Sequence, residues 1–212
     1  MSAFLAFISI IAALSVGVVS PGPSFVFVAR TAVALSRADD VAAALGMGIG
    51  AILFAGLALV GLQAVFAEMA SLAIVLKLLG GAYLLYLAIR LWRGADAPIG
   101  TAPAIARRRG LIRSFAWGLA TQVSNPKAAI VYGGIFAALL PPAPPLWMIA
   151  ALPPAILMLE VGWYAVVALV FSSERPRAAY LRSKRWIDRV AGAVIGALGL
   201  RLMMDGAEGA TS

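Results

Sequence analysis

Lys127 and Glu160 are charged side chains set inside long apolar stretches, Lys127 directly after Ser124-Asn125-Pro126 and Glu160 between Leu157-Met158-Leu159 and Val161-Gly162-Trp163. A central acidic residue in an apolar span costs about 2.5 to 3.5 kcal/mol on insertion scales, so Glu160 must face a bundle interior, carry a proton or hold a partner. The partners on offer are Lys77, Lys127 and the ammonium group of a bound solute. In the last case Glu160 binds the amine or carries a coupling proton; with a lysine it is a fixed structural ion pair.

Lys127 belongs to one of two matched breaks. Ser20-Pro21-Gly22-Pro23 interrupts the first apolar run and Ser124-Asn125-Pro126-Lys127 the fourth. Proline removes a helical N–H and clashes with the preceding turn. At membrane depth the freed backbone groups are tolerated only where the break is buried or lines a cavity, and paired breaks in corresponding halves point to a binding site. Asn125 followed by Pro126 reads as an N-cap and a first-turn proline, so a new half-helix starts there. Ser20-Pro21 or Gly22-Pro23 reads the same way. If the two half-helices run in opposite directions, their positive N-termini converge and form a site for an anion, to which Lys127 adds a full charge. A carboxylate suits such a site. On this reading Pro21, Gly22, Pro23, Asn125, Pro126, Lys127 and Glu160 bind the substrate. The bland alternative is that the prolines kink their helices for packing.

Catalysis is hard to read into the same residues. The chain has no cysteine and no histidine, which removes the usual ligands of zinc and haem, disulfides, and serine–histidine or cysteine–histidine nucleophile pairs. No enzyme activity, metal or cofactor is expected. The glycines lie within apolar runs with no following Lys-Ser or Lys-Thr, so no phosphate loop is present. Gly46-x-x-x-Gly50 and Gly192-x-x-x-Gly196 instead fit close helix packing, within one bundle or between subunits.

The elements that must carry these residues follow from composition. Of 212 residues, 63% are hydrophobic and 12% charged, with a mean hydropathy of +0.98, a balance typical of an integral membrane protein. Six apolar runs, at about 3–29, 41–66, 70–91, 114–139, 146–172 and 187–204, are each long enough to span. The net charge of +8 does not indicate nucleic acid, because the basic residues alternate with the runs. Arg30 and Arg37 follow the first. Arg90, Arg93, Arg107, Arg108, Arg109 and Arg113 lie around the third connection, and the stretch from Arg175 to Arg189 separates the fifth and sixth runs. The second and fourth connections carry none. By the positive-inside rule the basic segments are cytoplasmic and both termini lie outside. Trp92, Trp117, Trp147 and Trp186, near run ends, read as interfacial anchors.

Six spans divide into two groups of three, and an odd number per group inverts the second. The expected fold is all-α, with residues 1–93 as the first three-helix repeat, 94–113 as a cytoplasmic basic linker and 114–212 as the second repeat. Helices 1 and 4 are broken at their proline motifs. Val19-Ser20 aligns with Val123-Ser124, and Gly81-Ala82 and Arg90-Leu91 align with Gly192-Ala193 and Arg201-Leu202, a faint echo of that repeat.

With Pro21-Gly22-Pro23, Ala44-Leu45-Gly46-x-Gly48-x-Gly50, Leu76-Lys77-Leu78-Leu79-Gly80-Gly81-Ala82-Tyr83-Leu84-Leu85-Tyr86-Leu87 and Asn125-Pro126-Lys127 in this order, nearly the whole chain resembles the LysE-type amino-acid exporters of bacterial inner membranes. The resemblance implies about six spans, proton-driven efflux of an amino acid or related small metabolite, and a homo-oligomer such as a dimer. Glu160 is not among the resembling positions and rests on the bottom-up reading alone. Two other functions stay open at this point: a channel-like or ion-exchanging membrane protein, and a non-transporting scaffold assembled through its glycine faces.

Overall fold

The computed structural model describes residues 2–20, 24–25, 28, 37–68, 70–96, 110–171 and 174–211. Pro21, Gly22 and Pro23 and the arginines at 107–109 lie outside the described residues. The described residues form seven helices and no strand: α1 Ala3–Val19, α2 Arg37–Glu68, α3 Ala70–Gly94, α4 Leu111–Val123, α5 Pro126–Leu139, α6 Leu146–Phe171 and α7 Glu174–Thr211.

The helix ends follow local chemistry. Ser2 caps α1 by accepting from the Leu5 N–H at 3.3 Å. Asp39 and Asp40 sit in the first turn of α2, and Arg93 in the last turn of α3, each where its charge complements the helix dipole. Three stretches, Ala38–Gly61, Leu146–Val170 and Ala178–Gly209, are long and apolar enough to cross a membrane, and α1 and α5 are shorter apolar helices.

The sixth run is expected to begin near residue 187, yet α7 begins at Glu174. The difference has a simple cause. Alanine, arginine and lysine are strong helix formers, so the basic segment continues the helix well ahead of its apolar part. Arg185 and Arg189 then reach Asp96, just past α3, at 3.1 and 3.7 Å.

Hydrophobic residues are distributed by helix face. In α1, Ala6, Ile10, Ala13, Leu14 and Gly17 are buried, a single stripe at helical spacing. In α6, Met148, Leu152, Ile156, Glu160 and Tyr164 recur every four residues and are all buried, which aims Glu160 inward with the apolar stripe. The short helix α5 is buried along most of its length. The outer faces are apolar as well: Leu57 is 70% exposed, Val60 72% and Met158 75%. Large apolar side chains facing outward on several helices suit hydrocarbon rather than water. Trp92, Trp117, Trp147 and Trp186 are also exposed.

Glycines set the two closest crossings. Where α2 meets α4, a Cβ on Gly46 would collide with the Phe115 carbonyl, and one on Gly118 with the Ala43 carbonyl. Where α3 meets α7, Gly81 and Gly199 stand in the same reciprocal relation, each facing the other's carbonyl. Gly192 and Gly196 of the expected packing motif face Ala88 on α3, so these glycine faces are used inside the bundle. Backbones that approach this closely gain dispersion contact along both helices and cannot admit a side chain; at the α2–α4 crossing the Ser114 hydroxyl also donates to Asp39 at 2.9 Å.

A Gly118→Val protein should lose at least about 1 to 3 kcal/mol of stability, because its obstacle is backbone and cannot rotate away. Gly133→Ala, whose added carbon meets nothing within 4 Å, should remain near wild type. Heating in detergent followed by size-exclusion chromatography tests this, and equal melting of the two variants would show that the α2–α4 crossing is not set by the glycine.

Candidate substrate site

The site begins where α1 stops. Its last described turn ends at Val19, and the Ser20 N–H donates to the Val16 carbonyl at 3.3 Å. The final carbonyls of a helix have no donors within the helix. The Lys127 ammonium supplies them, donating to the Ser20 carbonyl at 2.9 Å and the Gly17 carbonyl at 3.3 Å. A cation placed there also meets the negative end of the α1 dipole.

Lys127 reaches that position because α5 starts one residue before it. Asn125 adopts an extended N-cap conformation, and its Oδ1 accepts from the N–H groups of Lys127 at 3.0 Å and Ala128 at 3.4 Å. Pro126 occupies the first helical position, where its missing N–H removes nothing. α4 ends at Val123, and the Ser124 N–H donates back to Ala120 at 2.9 Å. Ser124 and Asn125 thus separate two helices, as Ser20 follows the end of α1.

A chain of buried polar groups leads from the cap to Glu160. Asn125 Nδ2 donates to Ser24 Oγ at 2.8 Å, and Ser24 Oγ donates to Gln122 Oε1 at 2.7 Å. Gln122 Nε2 donates to Glu160 Oε1 at 3.3 Å, and the Tyr132 hydroxyl donates to the same oxygen at 2.9 Å. Gly50 leaves room for this chain, since a Cβ there would press on Gln122. Glu160 is 1% exposed, and its Oε2 has no hydrogen-bond partner among the described residues. A buried carboxylate oxygen in that condition calls for a proton, a cation or water.

Lys127 and Glu160 therefore share a site without forming a fixed ion pair. They line one cavity of about 30 Å³ together with Ser20, Ser24, Gln122 and Tyr132. That volume holds a water molecule or two but not an amino acid. A second cavity of about 270 Å³ lies on the other side of Asn125 and Lys127, which line both. Pro126 lines this outer cavity with Arg90, Lys184 and Asp188. The charge of Lys127 is attracted by both Asp188 and Glu160. Lys77, the other candidate partner of Glu160, lies on α3 beside Gly206 and lines neither cavity.

Sequence reading missed Ser24, Gln122, Tyr132, Lys184 and Asp188. Gln122 and Tyr132 had a usable signal, as polar groups in apolar surroundings three residues before and seven after Asn125, one at the end of α4 and the other in α5. Asp188 had none, because it sits among arginines and lysines at the edge of an apolar run. It is 3% exposed, accepts from Ser20 Oγ at 3.2 Å and pairs with Lys184 at 2.8 Å. Among the described residues no cluster of acidic groups could hold a metal ion.

Replacing Asn125 by Ala should cost about 1 kcal/mol through the lost cap, and Asn125→Ser should recover most of it although serine cannot also reach Ser24. Thermal midpoints of the two variants decide this. Equal losses would show that the Ser24 bond, rather than the cap, holds the start of α5.

The family model of LysE type translocators matches residues 15–206. The threonine efflux protein of Salmonella typhi is 36% identical over 196 residues, covering 89% of this chain and 93% of the relative. That of Escherichia coli K12 is 35% identical over 195 residues, with the same coverage. An uncharacterized Escherichia coli membrane protein, YahN, is 30% identical over 195 residues, 88% of this chain and 84% of its own. No solved structure matches the chain. With apolar helices around an interrupted, charged interior and a family match over nearly its full length, the chain belongs to the LysE-type translocators, membrane proteins of amino-acid efflux.

Proposed function

We propose that this protein exports small neutral amino acids of the threonine class across the bacterial inner membrane in exchange for protons, binding them at the junction of α1, α5 and α6. The observation that carries the proposal is Glu160, fully buried, bonded through one oxygen to Tyr132 and Gln122, with the other oxygen without a partner among the described residues and lining one cavity with Lys127. An amino acid brings one group of each sign. Its carboxylate suits Lys127 and the α5 N-terminus, with the N–H groups that follow Pro23 as the second donor set. Its ammonium suits Glu160 Oε2.

Proton coupling follows from the same carboxylate. Glu160 either accepts the solute's ammonium group or carries a proton, and a site that does one at a time exchanges them. Transport requires motion, because the inner cavity of about 30 Å³ is too small for the solute. The proposed motion is rocking of two inverted three-helix repeats, residues 1–93 and 114–212, joined by a cytoplasmic linker at 94–113. α1 and α4 stop at Val19 and Val123, positions that align in the repeat. The basic segments then face the cytoplasm and both termini lie outside. Assembly as a homo-oligomer completes the proposal; the glycine faces at Gly46 and Gly192 are occupied within the bundle, which leaves other helix faces for subunit contact.

Reconstitution in liposomes under an imposed pH gradient tests this, with counterflow of a labelled amino-acid panel compared between wild type and Glu160→Gln. The expected outcome is saturable counterflow of L-threonine and similar solutes, with loss of pH dependence in the variant. Full proton-dependent transport by folded Glu160→Gln would remove the coupling role. Flux without saturation or counterflow would favour a channel.

A further inference from the structure

The outer cavity is distinct in charge from the inner one. Three cationic side chains, Arg90, Lys127 and Lys184, line it against a single carboxylate, Asp188. Lys184 is committed: its ammonium donates to the Gly94 and Ala95 carbonyls at 3.0 and 3.2 Å and to Asp188 at 2.8 Å, which uses all three of its donors. It thereby supplies the carbonyls at the end of α3. Lys127 is held by Gly17 and Ser20. Arg90 is different. Its guanidinium stands 5.9 Å from the ring centre of Tyr86 and has no carboxylate partner among the described residues, so its planar set of N–H donors faces no acceptor of matching shape. Asp188 accepts two hydrogen bonds, where a carboxylate has about four acceptor sites.

A capping role for Lys184 and Asp188 explains why they are buried. It does not explain a cavity of about 270 Å³ with an unmatched guanidinium on its wall. We propose that this cavity is a second binding site for the transported solute, in which Arg90 takes the carboxylate and Asp188 the ammonium group. The site rests on the export reading above and lies, on the sidedness given there, on the cytoplasmic side of the break. Asn125 and Lys127 line both cavities, so the two sites stand in series with Lys127 between their carboxylates. The outer site has an excess of positive charge that draws in the solute's carboxylate. The inner one, with one lysine and one glutamate, matches both ends of the zwitterion.

The test is equilibrium binding of labelled L-threonine to the full-length protein in lipid nanodiscs, with counterflow measured on the same preparation. Two molecules per subunit are expected in wild type and one in Arg90→Gln, a change at an exposed residue that leaves the core intact. Half-saturation from the Arg90 side should rise about tenfold, the loss of one charge-assisted contact, with the maximal rate retained and Arg90→Lys recovering part of the loss. One molecule per subunit in wild type, with half-saturation unchanged in Arg90→Gln and counterflow intact, would overturn the second site and leave the export reading standing. No binding and no counterflow of any amino acid in folded wild type would overturn both.

Discussion

The Lys127 ammonium donating to the carbonyls of Gly17 and Ser20 is the contact on which the interior depends. A helix that ends inside an apolar bundle leaves acceptors without partners in the helix, and each group left unsatisfied costs several kcal/mol there. A lysine in the same place is equally costly without partners. Each removes the other's penalty, so the end of α1 and the start of α5 are stable only together. Neither group is free to leave until something replaces it, which makes the junction a natural place for a solute bearing both charges.

The remaining polar groups extend from that contact by steps of one hydrogen bond. Asn125 orients the first turn of α5 and holds Ser24; Ser24 holds Gln122; Gln122 and Tyr132 hold Glu160. A network of this kind is rigid while every member is satisfied, and Glu160 Oε2 is the member left open among the described residues. On the other side of Lys127, Ser20 bonds Asp188, and Tyr180 donates to the Val19 carbonyl at 3.2 Å. The end of α1 is thus tied to both α5 and α7. A movement that opens the inner cavity must exchange these contacts rather than break them outright.

Much of this was legible in the sequence, for reasons that can be named. Asn125-Pro126 encodes a cap and a helix start in adjacent residues, and the structure has that cap locally. Glu160 was visible because a charge stands out against an apolar run, and its four-residue spacing from Ile156 and Tyr164 fixes its direction. The apolar character of most helices was visible for the same reason. What was not legible depends on distance in sequence. The partners of Lys127 are two backbone carbonyls at the end of α1, which no residue type announces. Asp188 was hidden because a charge among charges carries no contrast, and the basic stretch before it looked like a connection because helical propensity there runs against hydropathy. The reach of Gln122 to Glu160 depends on Gly50, whose role appears only once α2 and α4 are side by side.

The claim that the solute sits at the helix junction is open to one direct measurement, because the chain has no cysteine. Ala128 lines the inner cavity one residue beyond Lys127, and Ala128→Cys would place a single reactive thiol there. Its rate of reaction with a small maleimide in proteoliposomes, with and without saturating L-threonine, reads occupancy of the site. The account predicts that L-threonine slows the reaction several-fold and that a non-transported amino acid does not. An unchanged rate, in protein that still performs L-threonine counterflow, would place the solute elsewhere and contradict it.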